Sequence, residues 1–121
     1  MSAITDAKDA IKAILDPIIT TYTYIESRPM PPCVTINSAA PYIESDITFG
    51  SFRINFSLEV SVQTGSNDTI TKELDQYIDD IIVTLVNEGY SVNNVSAPYA
   101  LEANNTQYLS ASIICSAVVK L

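Results

Sequence analysis

The segment Ser51 to Gln63, SFRINFSLEVSVQ, sets the architecture of this chain because apolar and polar residues alternate strictly along it. The even-numbered positions from Phe52 to Val62 are all apolar, and the odd-numbered positions between them are all polar. A period of two is that of a β-strand with one buried face. The residues from Phe52 onward would span about 40 Å at roughly 3.3 Å each. We therefore predict one unusually long strand whose apolar face must be covered.

Helical patterns elsewhere in the chain can supply that cover. Six apolar side chains recur at helical spacing in the second half of the chain: Leu74, Tyr77, Ile78, Ile81, Leu85 and Val86. We expect all six to be buried in a helix from about Thr69 to Glu88, which ends at Gly89 as a C-cap. An N-terminal stripe predicts a first helix from about Thr5 to Leu15, with acidic residues in its first turn and a proline after its end.

Further segments have β-strand character. We predict an extended segment over Ile19 to Ile25 and a first sheet strand over Cys33 to Ile36, separated by a proline-rich loop. A short strand is expected over Tyr90 to Val95. Regular alternation from Tyr108 to Leu121 predicts a second long strand.

Two connections are predicted from turn chemistry. The stretch SAAPYIESD turns the chain before the long strand, and Ser96 to Gln107 forms a polar loop. The apolar phase changes from odd to even positions around Gly50 and Ser51, which is what a β-bulge at a glycine would produce.

These elements predict a single α+β domain over residues 1–121. The order α-β-β-β-α-β, with an extra short strand after the second helix, gives a mostly antiparallel, twisted sheet of about four strands. Both helices are expected to pack on one face of that sheet.

The composition and net charge of the chain argue against several classes of function. The chain has 121 residues, of which 47% are hydrophobic, and a net charge of −8, so a folded domain is expected and sequence-specific binding to DNA or RNA is disfavoured. The N-terminus does not resemble a signal peptide and no segment is apolar enough for a membrane span. We therefore expect synthesis and assembly in a cytoplasm without membrane association.

Residues suited to catalysis or cofactor binding are scarce. The chain contains no histidine, which excludes Ser-His and Cys-His catalysis and leaves a zinc site without its usual ligands. Cys33 and Cys115 lie in apolar runs and are expected to be buried thiols rather than a redox pair. Asp75 and Asp79 could in principle hold a divalent ion, but a solvated helix face is favoured because no EF-hand spacing is present. We predict no enzyme, no metal and no cofactor.

Tyrosines are the most numerous aromatic residues, with seven in the chain. Tyrosine often anchors protein interfaces because it joins a large apolar ring to a polar tip. By their position in loops or at a strand start, we select Tyr42, Tyr99 and Tyr108 as interface candidates.

The order of elements, together with several short motifs, resembles the small tail terminator or head-to-tail joining proteins of long-tailed bacteriophages. The matching features are Pro31-Pro32 before Cys33-Val34, Pro41-Tyr42-Ile43-Glu44 with Asp46 and Phe49, Leu74-Asp75 with Tyr77-Ile78, and Tyr108-Leu109 opening the last strand. The resemblance covers roughly Thr5 to Val119 and fits both the terminator and the connector branch.

This resemblance implies a structural virion protein at the junction of head and tail. It would form a homo-oligomeric ring, usually of six subunits, that caps the tail tube protein, meets the head–tail connector and lets DNA pass through its lumen. An acidic chain suits that role because a basic bore would retain the genome. The alternative is a small cytoplasmic partner-binding or regulatory module acting as a dimer.

For the ring we expect contacts in the region Tyr42 to Phe49, in the loop Ser96 to Gln107 and on the polar face of the long strand. The candidate interface residues are Tyr42, Glu44, Asp46, Phe49, Arg53, Glu59, Tyr99, Glu102 and Tyr108. None of them is assigned a catalytic role.

Overall fold

The computed structural model describes residues 3–24, 32–45, 50–63, 67–103 and 106–120. In chain order the elements are α1 (Ala3–Leu15), β1 (Thr20–Tyr22), β2 (Cys33–Ser45), β3 (Ser51–Gln63), α2 (Asn67–Asn87), β4 (Ser91–Val95), β5 (Tyr99–Ala103) and β6 (Thr106–Lys120). The predicted α+β class is confirmed, and the alternating segment from Ser51 to Gln63 forms β3 over its whole length.

Within the described residues, the strands form one mixed sheet of six strands in the order β1-β2-β3-β6-β4, with β5 also paired to β6. Strand β1 runs parallel to β2, and the other pairings are antiparallel. The sheet thus has more strands than the predicted four. Strands β3 and β6 pair without interruption from Ser51–Lys120 to Gln63–Tyr108 and form its centre.

The loop predicted over Ser96 to Gln107 is wrong for the residues that form β5 and for Thr106 and Gln107, which begin β6. Strand β4 pairs with residues 113–116 of β6 and β5 with residues 106–110, so both run beside successive parts of the same strand. Between them, the Ser96 amide donates a hydrogen bond of 2.8 Å to the Ser112 carbonyl. Backbone pairing holds this polar segment extended, although its side chains have no strand-like alternation.

Strand β2 is longer than the predicted Cys33 to Ile36 because it continues through most of the expected turn. Its pairing with β3 is irregular between Ser38 and Ile43, next to a cis peptide bond at Ala40–Pro41. The irregular pairing therefore lies in β2, and the bulge predicted at Gly50 and Ser51 is wrong. Gly50 lies in a turn with φ of +84° before regular pairing begins at Ser51.

The helices pack on the apolar face of the sheet, as predicted. The fully buried side chains of the shared core come from both helices and three strands: Ile11, Leu15, Leu74, Ile81, Leu85, Val34, Ile54, Phe56, Leu58, Val60, Val62, Ala111, Ile113 and Cys115. Val86 was expected in this core but is 55% exposed. It follows the buried Leu85 directly, and a rotation of about 100° per residue turns it away from the sheet.

Helix α2 ends in the predicted glycine cap. Gly89 has φ of +88°, the Tyr90 amide donates to the Leu85 carbonyl at 2.9 Å, and the Gly89 amide donates to the Val86 carbonyl at 3.1 Å. This pair of bonds is the Schellman motif, which satisfies two carbonyls at the end of the helix.

Candidate interface on the outer face of the sheet

The sheet has a second face, opposite the helices, which we call the outer face. Side chains directly across a β-ladder point to the same side, so the odd-numbered residues of β3 share this face with their partners. It comprises Cys33, Thr35, Asn37 and Glu44 of β2, Arg53, Asn55, Ser57, Glu59, Ser61 and Gln63 of β3, and Tyr108, Ser110, Ser112, Ile114, Ser116 and Val118 of β6. The outer face is predominantly polar.

Asn55 is the centre of one hydrogen-bond network on this face. Its Nδ2 donates to the Pro41 carbonyl and to Glu44 Oε1, both at 2.7 Å. Its Oδ1 accepts a bond of 2.6 Å from Ser116 Oγ, which in turn accepts one of 3.0 Å from Asn93 Nδ2. Asn55 is only 5% exposed. One buried amide therefore connects the irregular part of β2 to β3, β6 and β4.

A second network lies further along the same face. The Tyr99 hydroxyl donates to Glu59 Oε2 at 2.9 Å and lies 3.1 Å from Ser112 Oγ. The Ser112 amide donates to Ser96 Oγ at 2.9 Å. Burial raises the pKa of Tyr99, the Ser112 hydrogen bond opposes that rise, and the Glu59 carboxylate adds to it. The phenol is therefore protonated at neutral pH and can donate to the carboxylate.

Two hydroxyl groups of the outer face form a hydrogen bond where β3 pairs with the first part of β6. Ser61 Oγ and Ser110 Oγ lie 2.9 Å apart, and both residues are buried. Among the described residues, no buried side-chain nitrogen or oxygen lacks a hydrogen-bond partner. The buried polar groups of the outer face are thus joined by hydrogen bonds rather than being independent side chains.

Four of the predicted interface residues lie together on this face. Glu44 and Arg53 are direct partners in the β2–β3 ladder and are both exposed. Glu59 and Tyr99 share the hydrogen bond described above. Their assembly role is a prediction that the fold leaves open.

The remaining predicted residues are placed differently. Tyr42 is half-buried against the helix-side core, with Lys8 Nζ 5.8 Å from its ring centroid. Tyr108 is 6% exposed, which leaves little of its ring for a partner. Asp46 and Phe49 lie outside the described residues, and so does the side chain of Glu102, although its backbone belongs to β5.

Sequence reasoning missed the residues that connect the strands, Asn55, Asn93 and Ser116. The alternation of apolar and polar residues placed Asn55 on the polar face of β3, and this was the signal in the sequence that could have drawn attention to it. Its partners were not visible, because Ser116 is 61 residues away in the chain. Val118 was also missed, because its place beside Arg53 depends on the pairing of two strands that are distant in the chain. Its side chain is 56% exposed.

The two cysteines are free and buried, as predicted. Cys33 lies on the outer face opposite Ser61, whereas Cys115 pairs with Phe56 and faces the core. Burial raises the pKa of Cys33 to about 11, with a further contribution from Glu59, and raises that of Cys115 to about 12. Both thiols are therefore protonated at neutral pH and are poor nucleophiles.

The described part of the chain shows neither a metal-binding cluster nor a membrane-spanning helix. No three or more of its cysteine, aspartate and glutamate residues lie close enough together to hold a metal ion, and Asp75 and Asp79 of α2 are exposed. Neither α1 nor α2 combines the length and the apolar character needed to cross a bilayer.

Comparison with known proteins adds no assignment. No protein-family model matches the chain, and a search of curated proteins finds no significant match.

Proposed function

We propose that this chain is a structural subunit of the tail of a long-tailed bacteriophage, a ring component that caps the tail tube and joins it to the head connector. The observation that carries the proposal is the outer face, a polar surface on which Glu44, Arg53, Glu59 and Tyr99 all lie. The resemblance of the element order and short motifs to that family is the second support.

The outer face suits a contact between subunits because much of it is held in place before binding. The amide of Asn55 and the phenol of Tyr99 are each fixed by two or more hydrogen-bonded groups. Surfaces that are already ordered lose less conformational entropy on association. Arg53 and its carboxylate neighbours provide both signs of charge, which a head-to-tail ring contact between different patches can use.

The overall charge suits the passage of DNA. With 14 acidic and six basic residues, the chain would release few counterions from a duplex and bind it weakly. A ring built from such subunits would let DNA slide through its lumen.

The test is a charge reversal on the outer face with a matched reversal on α2. We expect Arg53→Glu to weaken ring formation, measured by size-exclusion chromatography and negative-stain microscopy, with and without tail tube protein. Lys72→Glu makes the same change in charge on an exposed residue of α2 and is expected to assemble normally.

Stability must be measured in parallel, since Arg53→Glu places two carboxylates opposite each other in the β2–β3 ladder. That repulsion is expected to cost about 0.2–1 kcal/mol, too little to unfold the chain. If both variants form rings equally well, Arg53 is not part of the contact between subunits. A dimer that forms no ring with tail tube protein would favour the alternative, a small partner-binding module.

A further inference from the structure

A cleft of about 540 Å³ lies on the helix side of the molecule, away from the predicted interface residues. It lies between the first half of α1, the end of α2 and the last residues of β6. Alanines at positions 3, 7 and 10 of α1 line one wall, and Ala117 and Val119 of β6 contribute to another. Because these side chains are short, the helix and the strand leave open space between them. The volume lies within the range of small-ligand sites.

Among the described residues, the charged residues that line the cleft are Asp6 of α1 and Glu88 at the end of α2, and both are exposed and acidic. No lysine or arginine of the described residues lines the cleft. The C-terminal end of α2 adds partial negative charge, whereas the first turn of α1, which begins at Ala3 in the same cleft, adds partial positive charge. The two helix ends oppose each other, so the carboxylates of Asp6 and Glu88 set the sign of the local potential, which favours a cation.

Tyr90 adds a polar group to the apolar wall. It is half-buried and packs against the core. Burial raises its pKa, with smaller contributions from Cys115 and Glu88, so the phenol is neutral at physiological pH. A neutral phenol can accept a hydrogen bond from an ammonium or guanidinium group while its ring contacts an alkyl chain.

We propose that this cleft binds a lysine or arginine side chain presented by a basic segment of a partner protein. The alanine and valine walls would contact the alkyl stem, and Asp6 and Glu88 would flank the charged head. A second copy of this chain offers only six lysine and arginine residues against 14 acidic ones, so a more basic segment fits the cleft better. Apart from Val118, which belongs to the outer face, the residues that line the cleft lie elsewhere, and the proposal does not depend on ring formation.

A simple metal ion fits this arrangement less well than a basic side chain. Cations such as Ca²⁺ and Mg²⁺ take six or more oxygen ligands, whereas the cleft offers two carboxylates on different elements beside apolar walls. Contacts with exposed carboxylates contribute only modestly to affinity because solvent screens them. A single basic side chain should therefore bind with a Kd of about 1 mM or weaker.

The test is a nuclear magnetic resonance titration of the full ¹⁵N-labelled chain with three blocked pentapeptides. The central residue, flanked by alanines, is lysine, norleucine or glutamate. The peptides therefore keep an aliphatic side chain at the centre while its charge changes from positive to neutral to negative. The lysine peptide is expected to shift the amide signals of Ala7, Ala10, Gly89 and Tyr90 in a saturable manner. The glutamate peptide should leave them unchanged, and norleucine should bind more weakly than lysine.

Variants identify the cleft as the site. The double variant Asp6→Asn with Glu88→Gln should weaken binding of the lysine peptide by about three- to tenfold. Asp79→Asn neutralises an exposed carboxylate of α2 that does not line the cleft and should leave binding unchanged. The ¹⁵N spectrum itself reports whether each variant is folded. Each of three results would overturn the proposal. They are equal binding of the lysine and norleucine peptides, no shift of the amide signals at 10 mM lysine peptide, and equal effects of all the substitutions on binding.

Discussion

Asn55 shows how one side chain connects separate parts of the sheet. It bonds to Pro41, Glu44 and Ser116, which belong to β2 and β6. The alternation in SFRINFSLEVSVQ was sufficient to place Asn55 on the polar face. Alternation cannot show that a polar residue is buried, because burial depends on partners that are distant in the chain.

Removal of the Asn55 amide should destabilise the fold. Asn55→Ala would leave the buried Ser116 hydroxyl without its present acceptor and would remove the bonds to the Pro41 carbonyl and to Glu44, so the free energy of unfolding should fall by about 1–3 kcal/mol. Ser57→Ala, at a half-buried position of the same strand and face, should change it by less than about 0.5 kcal/mol. Urea denaturation measures both, and similar losses would contradict a special role for Asn55.

The buried thiols should make stability depend on alkaline pH. Their pKa values are raised from 9.0 to about 11 for Cys33 and about 12 for Cys115. Above pH 9 the unfolded chain loses thiol protons that the folded chain retains, so their stabilising contribution is complete below pH 9 and is lost as the pH rises through 11 and 12. Raising the pH from 8 to 10 should therefore lower the urea midpoint more for the unmodified chain than for the double variant Cys33→Ala with Cys115→Ala.

That double variant retains the tyrosines, and Tyr90, whose pKa is raised mainly by burial, loses only the smaller contribution of Cys115, so the difference reports mainly on the thiols. An identical decrease in the two proteins would show that the thiols do not titrate differently in the folded and unfolded states.

Helices were easier to predict than edge strands. Both observed helices begin within two residues of their predicted starts, because an amphipathic stripe and a capping residue are local signals. Strand β5 had no such signal. Its backbone pairs with β6 from Tyr99–Ser110 to Ala103–Thr106, and this pairing does not require an apolar stripe. The polar residues around Pro98 therefore indicated a loop.

The end of α2 offers a test of local backbone geometry. A Cβ added at Gly89 would meet no atom within 4 Å, but φ is +88°. Gly89→Ala should therefore destabilise through backbone strain alone, by about 1 kcal/mol. Gly89→Asn should cost less, since asparagine adopts this conformation more readily. Thermal or urea unfolding measures both variants, and an unchanged stability for Gly89→Ala would contradict the cap.

The α+β class and the shared helix side could be predicted for the molecule as a whole because both depend on apolar periodicity. The parallel β1–β2 pairing could not, since β1 has only three residues and no distinctive pattern. The same limit applies to the candidate site. Alternation placed Arg53 and Glu59 on one strand face, whereas the hydrogen bond from Tyr99 to Glu59 joins residues 40 positions apart.

The ring itself is tested by the mass of the assembled particle in solution. Light scattering after size exclusion, on the unmodified chain mixed with tail tube protein, should reveal a species in which this chain contributes about six times its 13.2 kDa mass. Negative-stain images of that species should show rings at the ends of tubes. A chain that remains monomeric or dimeric at high concentration and leaves tube ends bare would contradict the account.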